Sequence, residues 1–506
     1  MKSWALVLPK WVNRHSSLPA VSRLWAGVHS ARIQGLLCPV GALYHHTMDT
    51  QTLQDCLADL DRDLLQRDEA VRLLLLGALA GEHVLLIGPP GTAKSELARR
   101  LHRVFGGARY FERLLTRFSV PEELFGPLSL KALEEDRYER LTDGFLPTAQ
   151  VAFLDEVFKA NSAILNALLT LLNEREFDNG SGRVAVPLIS VVGATNDVPD
   201  DDALQAFHDR FALRVPVGPL AQDRFTALLQ LPAQLSQPQP RLRQSDLDAL
   251  RQRAQAVVLP PPVIDLLVKA RAFCEAQSVA VSDRRWRKLV GLLQVQAASR
   301  AGAATASAPT QVDAWDLWLL PFVLAARPAQ GPGLKDWFMA RVAQALPVDV
   351  VWLQRAVEAF EKQVEIEESA PATATDDSAG KLALARSMAA PGSEQVLVRR
   401  LAEQARKRYS LLHVQARLAQ LDEVRERAAA ALQTVKATSN MVTAQAAAHL
   451  WLPPQWRDAI SAVHAANVSA VAQLVARADA VHEAFAALPM DAAMEGGAPP
   501  AVVLTD

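Results

Sequence analysis

Cysteine is scarce in this sequence, three residues in 506, and Cys38, Cys56 and Cys274 stand far apart with neither CxxC spacing nor a framework pattern. They read as reduced thiols in a reducing compartment, taken as cytoplasmic, and a disulfide-stapled module is excluded. An excess of either charge is also missing, with 53 Lys and Arg against 55 Asp and Glu and a net charge of −2. That balance gives no global nucleic-acid footprint and no acidic solvating tail. Long apolar runs are absent too. The run Trp4 to Leu8 is cut by Pro9 and Lys10, too short for a secretory core or a membrane span, so no transmembrane segment is expected. Acidic residues are missing before Asp49, whereas Lys2, Lys10, Arg14, Arg23 and Arg32 are present. Such a stretch is a targeting segment, or else sequence upstream of a true start at Met48. The second reading is preferred, and residues 1–48 are expected to be an extension that is poorly ordered or owed to a misassigned start.

What is present is an ordinary globular composition, 50% hydrophobic and 21% charged, in a chain long enough for about three domains. Its most informative stretch is HVLLIGPPGTAKSE, His83 to Glu96. A buried strand, a Gly/Pro loop and a helix start follow one another there. Loop N–H groups and the helix N-terminus together make a concave site for a triphosphate. Gly88, Pro89, Pro90, Gly91, Thr92, Ala93, Lys94, Ser95 and Glu96 form the cradle, with Lys94 reaching the β/γ-phosphates of ATP and Ser95 holding Mg²⁺. The motif GxxxxGK[ST] fails at one place, where Ala93 stands for glycine. A left-handed alanine costs ~1–2 kcal/mol, so Ala93 is expected at negative φ, with Gly88 and Gly91 as the permissive positions.

Apolar periodicity predicts two helices from Leu53 to Leu79, a helix from Glu96 to Phe105, and strands over Phe111 to Phe118, Val151 to Leu154 and Leu188 to Gly193. Ala163 to Leu172 reads as a helix between the last two. This alternation implies a parallel sheet covered on both sides. After Pro219 every periodic segment is helical. Beyond Pro332 three longer helices, Leu334 to Glu367, Glu394 to Thr438 and Pro454 to Leu488, predict an antiparallel bundle. The expected domains are an α/β nucleotide-binding domain over 49–218, an all-α lid over 219–330, a helical bundle over 331–490 with a flexible Ala/Ser/Thr-rich linker at 369–393, and a disordered tail over 491–506.

The strand Val151 to Leu154 delivers two carboxylates at its end. Asp155 would orient Mg²⁺ and its waters, and Glu156 would position and polarise the attacking water. Asn196, ending the next strand, could hydrogen-bond the γ-phosphate or that water. Arg210 and Arg284 each stand at a helix end, suited to multidentate phosphate contact.

Taken in order, these elements resemble the AAA+ ATPases, specifically the MoxR branch and within it the regulatory ATPase RavA. The resemblance is carried by GPPGTAKSELARRL, LLTRFSVPEELFGPLSLKAL, RYERLTDGFLPTAQVAFLDEVFKANSAILNALLTLLNEREF and VSDRRWRKLVGLLQ, and covers about Asp49 to Leu320. It implies an α/β P-loop NTPase core with an all-α lid and a C-terminal three-helix bundle. It makes Lys94 and Ser95 the Walker A residues, Asp155 and Glu156 the Walker B pair, Asn196 sensor 1, Arg210 the arginine finger acting in a neighbouring subunit, and Arg284 sensor 2. Phe125-Gly126-Pro127-Leu128, within the family's insertion, becomes a candidate pore or substrate-facing loop. A homo-hexameric ring and a von Willebrand factor A (vWA) domain partner are implied. Lysine decarboxylase binding is not, because 369–393 is too short for the β-rich module that would carry it. The leading expectation is an Mg²⁺-dependent ATPase that remodels partner proteins in a chaperone-like way. The alternatives are a nucleic-acid motor, against which the lack of a basic recognition helix argues, a metal-chelatase-type subunit, and a scaffold without turnover, against which Glu156 argues.

Overall fold

The computed structural model describes residues 48–503, apart from 181, 200, 233, 302–309, 344–347, 371–406, 492 and 495. The N-terminal extension before Met48 and nearly all of the linker expected at 369–393 lie outside the described residues.

Helix α1 (Thr50–Asp61) starts at Asp49, whose carboxylate accepts the Thr52 N–H, and α2 (Asp68–Ala80) stops at Gly81 in the left-handed region at φ 74. Strand β1 (His83–Ile87) follows and is buried throughout. Its side chains alternate between two cores, Val84 and Leu86 on one face, Leu85 and Ile87 on the other. A strand buried on both faces reads as a continuous apolar run, as HVLLI does. The remaining core strands are β2 (Tyr110–Leu114), β3 (Val151–Asp155), β6 (Ser190–Thr195) and β7 (Phe211–Pro216). They form one five-stranded parallel sheet in the order β2-β3-β6-β1-β7. Helices α2 and α3 (Lys94–Val104) cover one face, and α6 (Ser162–Glu174) covers the other.

Strand β7 was not expected from the sequence. Its apolar pattern Phe-Ala-Leu-Arg-Val is broken by Arg214, which is buried and donates to the Ala325 carbonyl at 3.1 Å. The hairpin β4 (Glu176–Asp178) and β5 (Arg183–Ala185) was also not foreseen. Between β2 and β3 lie short helices α4 (Pro121–Phe125) and α5 (Leu130–Glu134), and α7 (Asp202–His208) leads into β7.

The lid comprises α8 (Phe225–Leu229), α9 (Gln244–Gln255), α10 (Pro261–Ala276), α11 (Asp283–Arg300), α12 (Leu320–Leu324) and α13 (Gly331–Phe338). Its buried residues Leu289, Leu292, Leu317 and Phe322 share one core with α2 and β7. The helix expected from Leu334 to Glu367 is interrupted. A π-helical turn at Met339–Ala343 follows α13, and α14 (Val350–Ser369) restarts at Asp349, whose carboxylate accepts the Trp352 N–H.

Helix α14 packs with α15 (Leu411–Ala448) and α16 (Pro454–Ala486) into a three-helix bundle. Helix α16 is long and apolar enough to cross a membrane by length and composition alone. Its stripe of Val471, Leu474, Ala478, Val481 and Phe485 is instead buried against α14 and α15. The tail expected to be disordered is seated where it is described: Asp491 N–H donates to the Tyr409 carbonyl at 3.0 Å, and Arg417 Nη1 donates to the Pro500 carbonyl at 2.7 Å. The Arg417 guanidinium is buried and also bonds Glu367 and Gln420, so the Pro500 carbonyl adds to its set of acceptors and ties the tail down.

The bundle root is knitted into the lid. Trp451 and Trp456 are buried in the main core, Trp451 Nε1 donates to Ser299 Oγ at 2.8 Å, and His449 Nε2 donates to Asp316 Oδ1 at 3.0 Å.

Candidate functional site

The loop after β1 is built on short backbone ties. Gly88 N–H donates to the Thr195 carbonyl at 3.0 Å and Val217 N–H to the Ile87 carbonyl at 2.7 Å, which fixes the loop between the ends of β6 and β7. A Cβ on Gly88 would lie 2.0 Å from the Val217 carbonyl oxygen. Gly88 is therefore required for close approach and not for a positive φ. Gly91 does sit at φ 78, and so does Ala93, at φ 69 and ψ 24. The expectation of a negative φ for Ala93 is corrected. Residue 93 must turn left-handed for Lys94 to enter α3, and alanine bears that strain at the loop–helix junction. Arg67 braces the loop from below, with Nε to the Thr92 carbonyl at 3.2 Å and Nη2 to the Gly218 carbonyl at 2.8 Å.

Lys94 Nζ donates to the carbonyls of Gly88 and Pro89 at 2.6 and 2.9 Å, so its ammonium is folded into the cradle. Burial lowers its pKa, while Asp155 and Glu156 act to hold it up. Pro89, Pro90 and Gly91 are exposed, Ser95 is half-buried in the first turn of α3, and Thr92 Oγ1 closes the turn onto the Pro89 carbonyl at 3.0 Å. Glu96 is drawn along the helix to Arg100 Nε at 3.0 Å, away from the loop.

Strand β3 ends in Asp155 beside the loop, and Glu156 follows at φ 52, a second non-glycine residue in the left-handed region. Such positions persist when their surroundings over-determine them. Asp155 Oδ1 accepts the Glu156 N–H at 3.0 Å, Asn196 Nδ2 donates to Glu156 Oε1 at 2.8 Å, and Lys159 Nζ lies 3.4 Å from Glu156 Oε2. Lys94, Ser95, Asp155, Glu156 and Asn196 thus share the C-terminal edge of the sheet. Open sheets of this type bind ligands outside the carboxyl ends of their strands.

The two arginines are elsewhere. Arg210 immediately precedes β7, at the N-terminal edge, with a buried Nε that has no partner among the described residues. Arg284 Nη2 donates to Asn173 Oδ1 at 2.7 Å, near the end of α6. Its neighbour Lys288 pairs at 2.9 Å with Glu82, just ahead of β1. The length of a five-residue strand, roughly 16 Å at ~3.3 Å per residue, separates that edge from the loop. Arg284, expected as sensor 2, lies away from this chain's own loop, because the start of α11 packs on the opposite end of β1 and β7. Arg285, passed over in the sequence, does the local work. It is 3% exposed, and it donates to Asp209 Oδ1 at 3.1 Å, to the Phe211 carbonyl at 3.0 Å and to the Val323 carbonyl, fastening the Asp209-Arg210 turn to the lid.

Residues 51–252 match the family described as the MoxR domain in the MoxR-vWA-beta-propeller ternary systems, and residues 262–338 match the AAA lid domain. The chain carries a MoxR-family AAA+ domain followed by its lid. Two uncharacterized proteins from Methanocaldococcus jannaschii are 42% and 41% identical to it over 240 residues, 47% of this chain and 64% and 62% of theirs. The match therefore spans a little under two thirds of the length of these relatives. Chaperone MoxR1 of Mycobacterium tuberculosis is 28% identical over 185 residues, 36% of this chain and 48% of that one.

Within this MoxR domain the insertion differs from expectation. Phe125 is 2% exposed and stacks on Phe177 with ring centroids 5.2 Å apart, and a Cβ on Gly126 would lie 1.9 Å from the Leu141 carbonyl oxygen. Phe125-Gly126-Pro127-Leu128 is accordingly a packed corner and not a substrate-facing loop. The outward aromatic is Phe118, 91% exposed just beyond β2. Arg67 and Arg285 left no local pattern in the sequence because their partners are distant in the chain or are backbone carbonyls.

Proposed function

We propose that this MoxR-family chain hydrolyses Mg²⁺-ATP in a homo-hexameric ring and uses the turnover to remodel partner proteins. The reading is carried by one observation: Lys94, Asp155, Glu156 and Asn196 lie at one sheet edge, while Arg210 and Arg284 lie at the other. A chain so built has the two ends of a phosphoryl-transfer site, facing opposite ways. Apposing one subunit's C-terminal edge to the next subunit's Arg210 completes it, and Arg284 belongs to that same outward-facing set.

The residues present fit nucleotide and metal. Gly88 lets the loop backbone pass against the Val217 carbonyl where no Cβ has room, and Lys94 is already poised on the carbonyls of the cradle. Ser95 and Asp155 would hold Mg²⁺, which when bound neutralises charge on the β- and γ-oxygens. Glu156 would orient and deprotonate the attacking water, with Asn196 Nδ2 fixing the carboxylate through Oε1. An arginine supplied from a neighbour is worth about 10³–10⁵ in kcat in such sites, so isolated subunits are expected to be nearly inactive.

The family description, with its vWA and beta-propeller components, supports a vWA-domain partner, and the name of the mycobacterial relative supports a chaperone-like role. Buried, unpaired Cys56 and Cys274 agree with work in a reducing compartment, which we take to be the cytoplasm. Within the family we place the chain near RavA on the motif segments, without the decarboxylase-binding module.

The direct test is Glu156→Gln. The variant should bind ATP as tightly as wild type and turn it over at least about a hundredfold more slowly. Turnover at the wild-type rate would falsify the hydrolytic assignment.

A further inference from the structure

A cavity of about 350 Å³ opens beside the loop, lined by Gly88, Asn196, Asp197, Gly218, Arg327 and Pro328. Five of these belong to the loop or the strand ends around it, or to Pro328 of the lid turn. Among the described residues Arg327 is the one cation in this lining, and it comes from the lid. It is exposed, at the start of the short turn Pro328–Gln330 that leads into α13.

The wall that carries Arg327 is firmly held. Gln330 Oε1 accepts the N–H groups of both Ala326 and Arg327, at 2.8 and 3.1 Å. Arg214 Nη1 donates to the Ala325 carbonyl at 3.1 Å, and Pro328 fixes the next backbone angle. A guanidinium on such a pedestal is pre-organised at the residue where it leaves the lid, so little ordering entropy opposes its use. The cavity also has a definite end of the nucleotide to serve. Gly88, whose carbonyl receives Lys94 Nζ, and Asn196, which holds Glu156, flank the place where a terminal phosphate and its attacking water would sit. The expected lid arginine, Arg284, is engaged at the far edge of the sheet.

We propose that Arg327 is the lid residue that contacts the γ-phosphate in its own subunit, and so distinguishes ATP from ADP. This rests on the ATPase reading above. The geometry also connects the contact to the finger. Arg214 and Arg285 grip the Ala325 and Val323 carbonyls, and both pair with Asp209, next to Arg210. Movement of the lid segment on losing the γ-phosphate would therefore move the turn that carries the residue offered to the neighbouring subunit.

The test compares wild type, Arg327→Ala and Arg327→Lys for equilibrium binding of Mg²⁺-ATP, of a non-hydrolysable ATP analogue and of Mg²⁺-ADP, alongside thermal melting. Arg327→Ala should weaken both triphosphates about ten- to a hundredfold, the range for a charge-assisted hydrogen bond, and leave ADP affinity and melting unchanged. Arg327→Lys, which keeps the charge without the fork, should recover part of the loss. Equal losses for ATP and ADP, or no loss for either, would overturn the assignment of Arg327 while leaving the ATPase reading in place. Wild-type protein that binds none of the three nucleotides would overturn both.

Discussion

His83 opens the strand that carries the phosphate loop, and it should make the protein sensitive to mild acid. The ring is fully buried. Nε2 lies 3.1 Å from the Leu172 carbonyl and Nδ1 accepts the Val191 N–H at 3.1 Å, so the two contacts together require a neutral imidazole with its proton on Nε2. Burial, with Arg175 adding to it, pushes the pKa down from 6.5 to about 3. A base whose folded pKa is depressed stabilises the fold above its unfolded pKa and loses that contribution as the pH falls. The window is therefore from about 6.5 down to about 3. The whole shift is worth roughly 5 kcal/mol, of which roughly 2 kcal/mol is already lost at pH 5. Asp61 works the other way: burial raises it to about 6, so its protonation offsets part of the loss below that pH. His208, pushed to about 3 chiefly by burial, adds to the loss. The decisive comparison is then between wild type and His83→Gln, melted at pH 8, 7, 6 and 5 in one salt. The variant should be less stable at pH 8, because the Val191 N–H loses its acceptor, and the gap should narrow by roughly 2 kcal/mol by pH 5. A gap that stays constant across this range would refute the reasoning, because it would mean His83 is not held neutral by the fold.

Mixing Lys94→Ala subunits with Arg210→Ala subunits should restore part of the ATPase activity that neither has alone, since some interfaces then pair an intact loop with an intact arginine. Mixtures as inactive as their components, while still assembling, would exclude action in trans. Gly88→Ala should cost about 2–4 kcal/mol of stability, as overpacking against a backbone oxygen does, and should abolish nucleotide binding; calorimetric titration with Mg²⁺-ADP of the folded variant checks this.

The Walker residues were legible because each is fixed by its neighbours in the chain. A strand that ends in Gly-Pro-Pro-Gly or in Asp-Glu presents those groups at the sheet edge wherever the sheet sits in the molecule. The same logic failed at Ala93, where a local preference against left-handed alanine gave way to the turn needed for Lys94 to begin α3. It failed again at β7, whose apolar pattern is interrupted by an arginine that only tertiary structure explains, through the Ala325 carbonyl 111 residues away. Arg284 shows a further limit. The motif located it at a helix start, but the edge of the sheet against which that start packs is a property of the assembled lid. Arg67 acts through backbone carbonyls of remote segments, and no spacing in the sequence announces such partners.

The bundle is less separable from the site than its position at the end of the chain suggests. Arg67 holds the loop through the Thr92 carbonyl, and two residues on, Glu69 Oε2 accepts from Trp456 Nε1 at 2.8 Å and from Gln455 Nε2 at 3.0 Å in the first turn of α16. Lys335 of α13 lies over the same indole, 4.6 Å from its centroid. Burial raises the Glu69 pKa, an expense that its two donors offset only in this arrangement. The first turn of α2 therefore touches the phosphate loop with one residue and the root of a 33-residue helix with another. A short helix turn so loaded at both ends cannot shift at the loop without displacing the base of α16, and a small angle at that base becomes a large excursion at the far end of the bundle. The two buried tryptophans and the Glu69 carboxylate at this junction thus tie the phosphate loop to the base of the bundle.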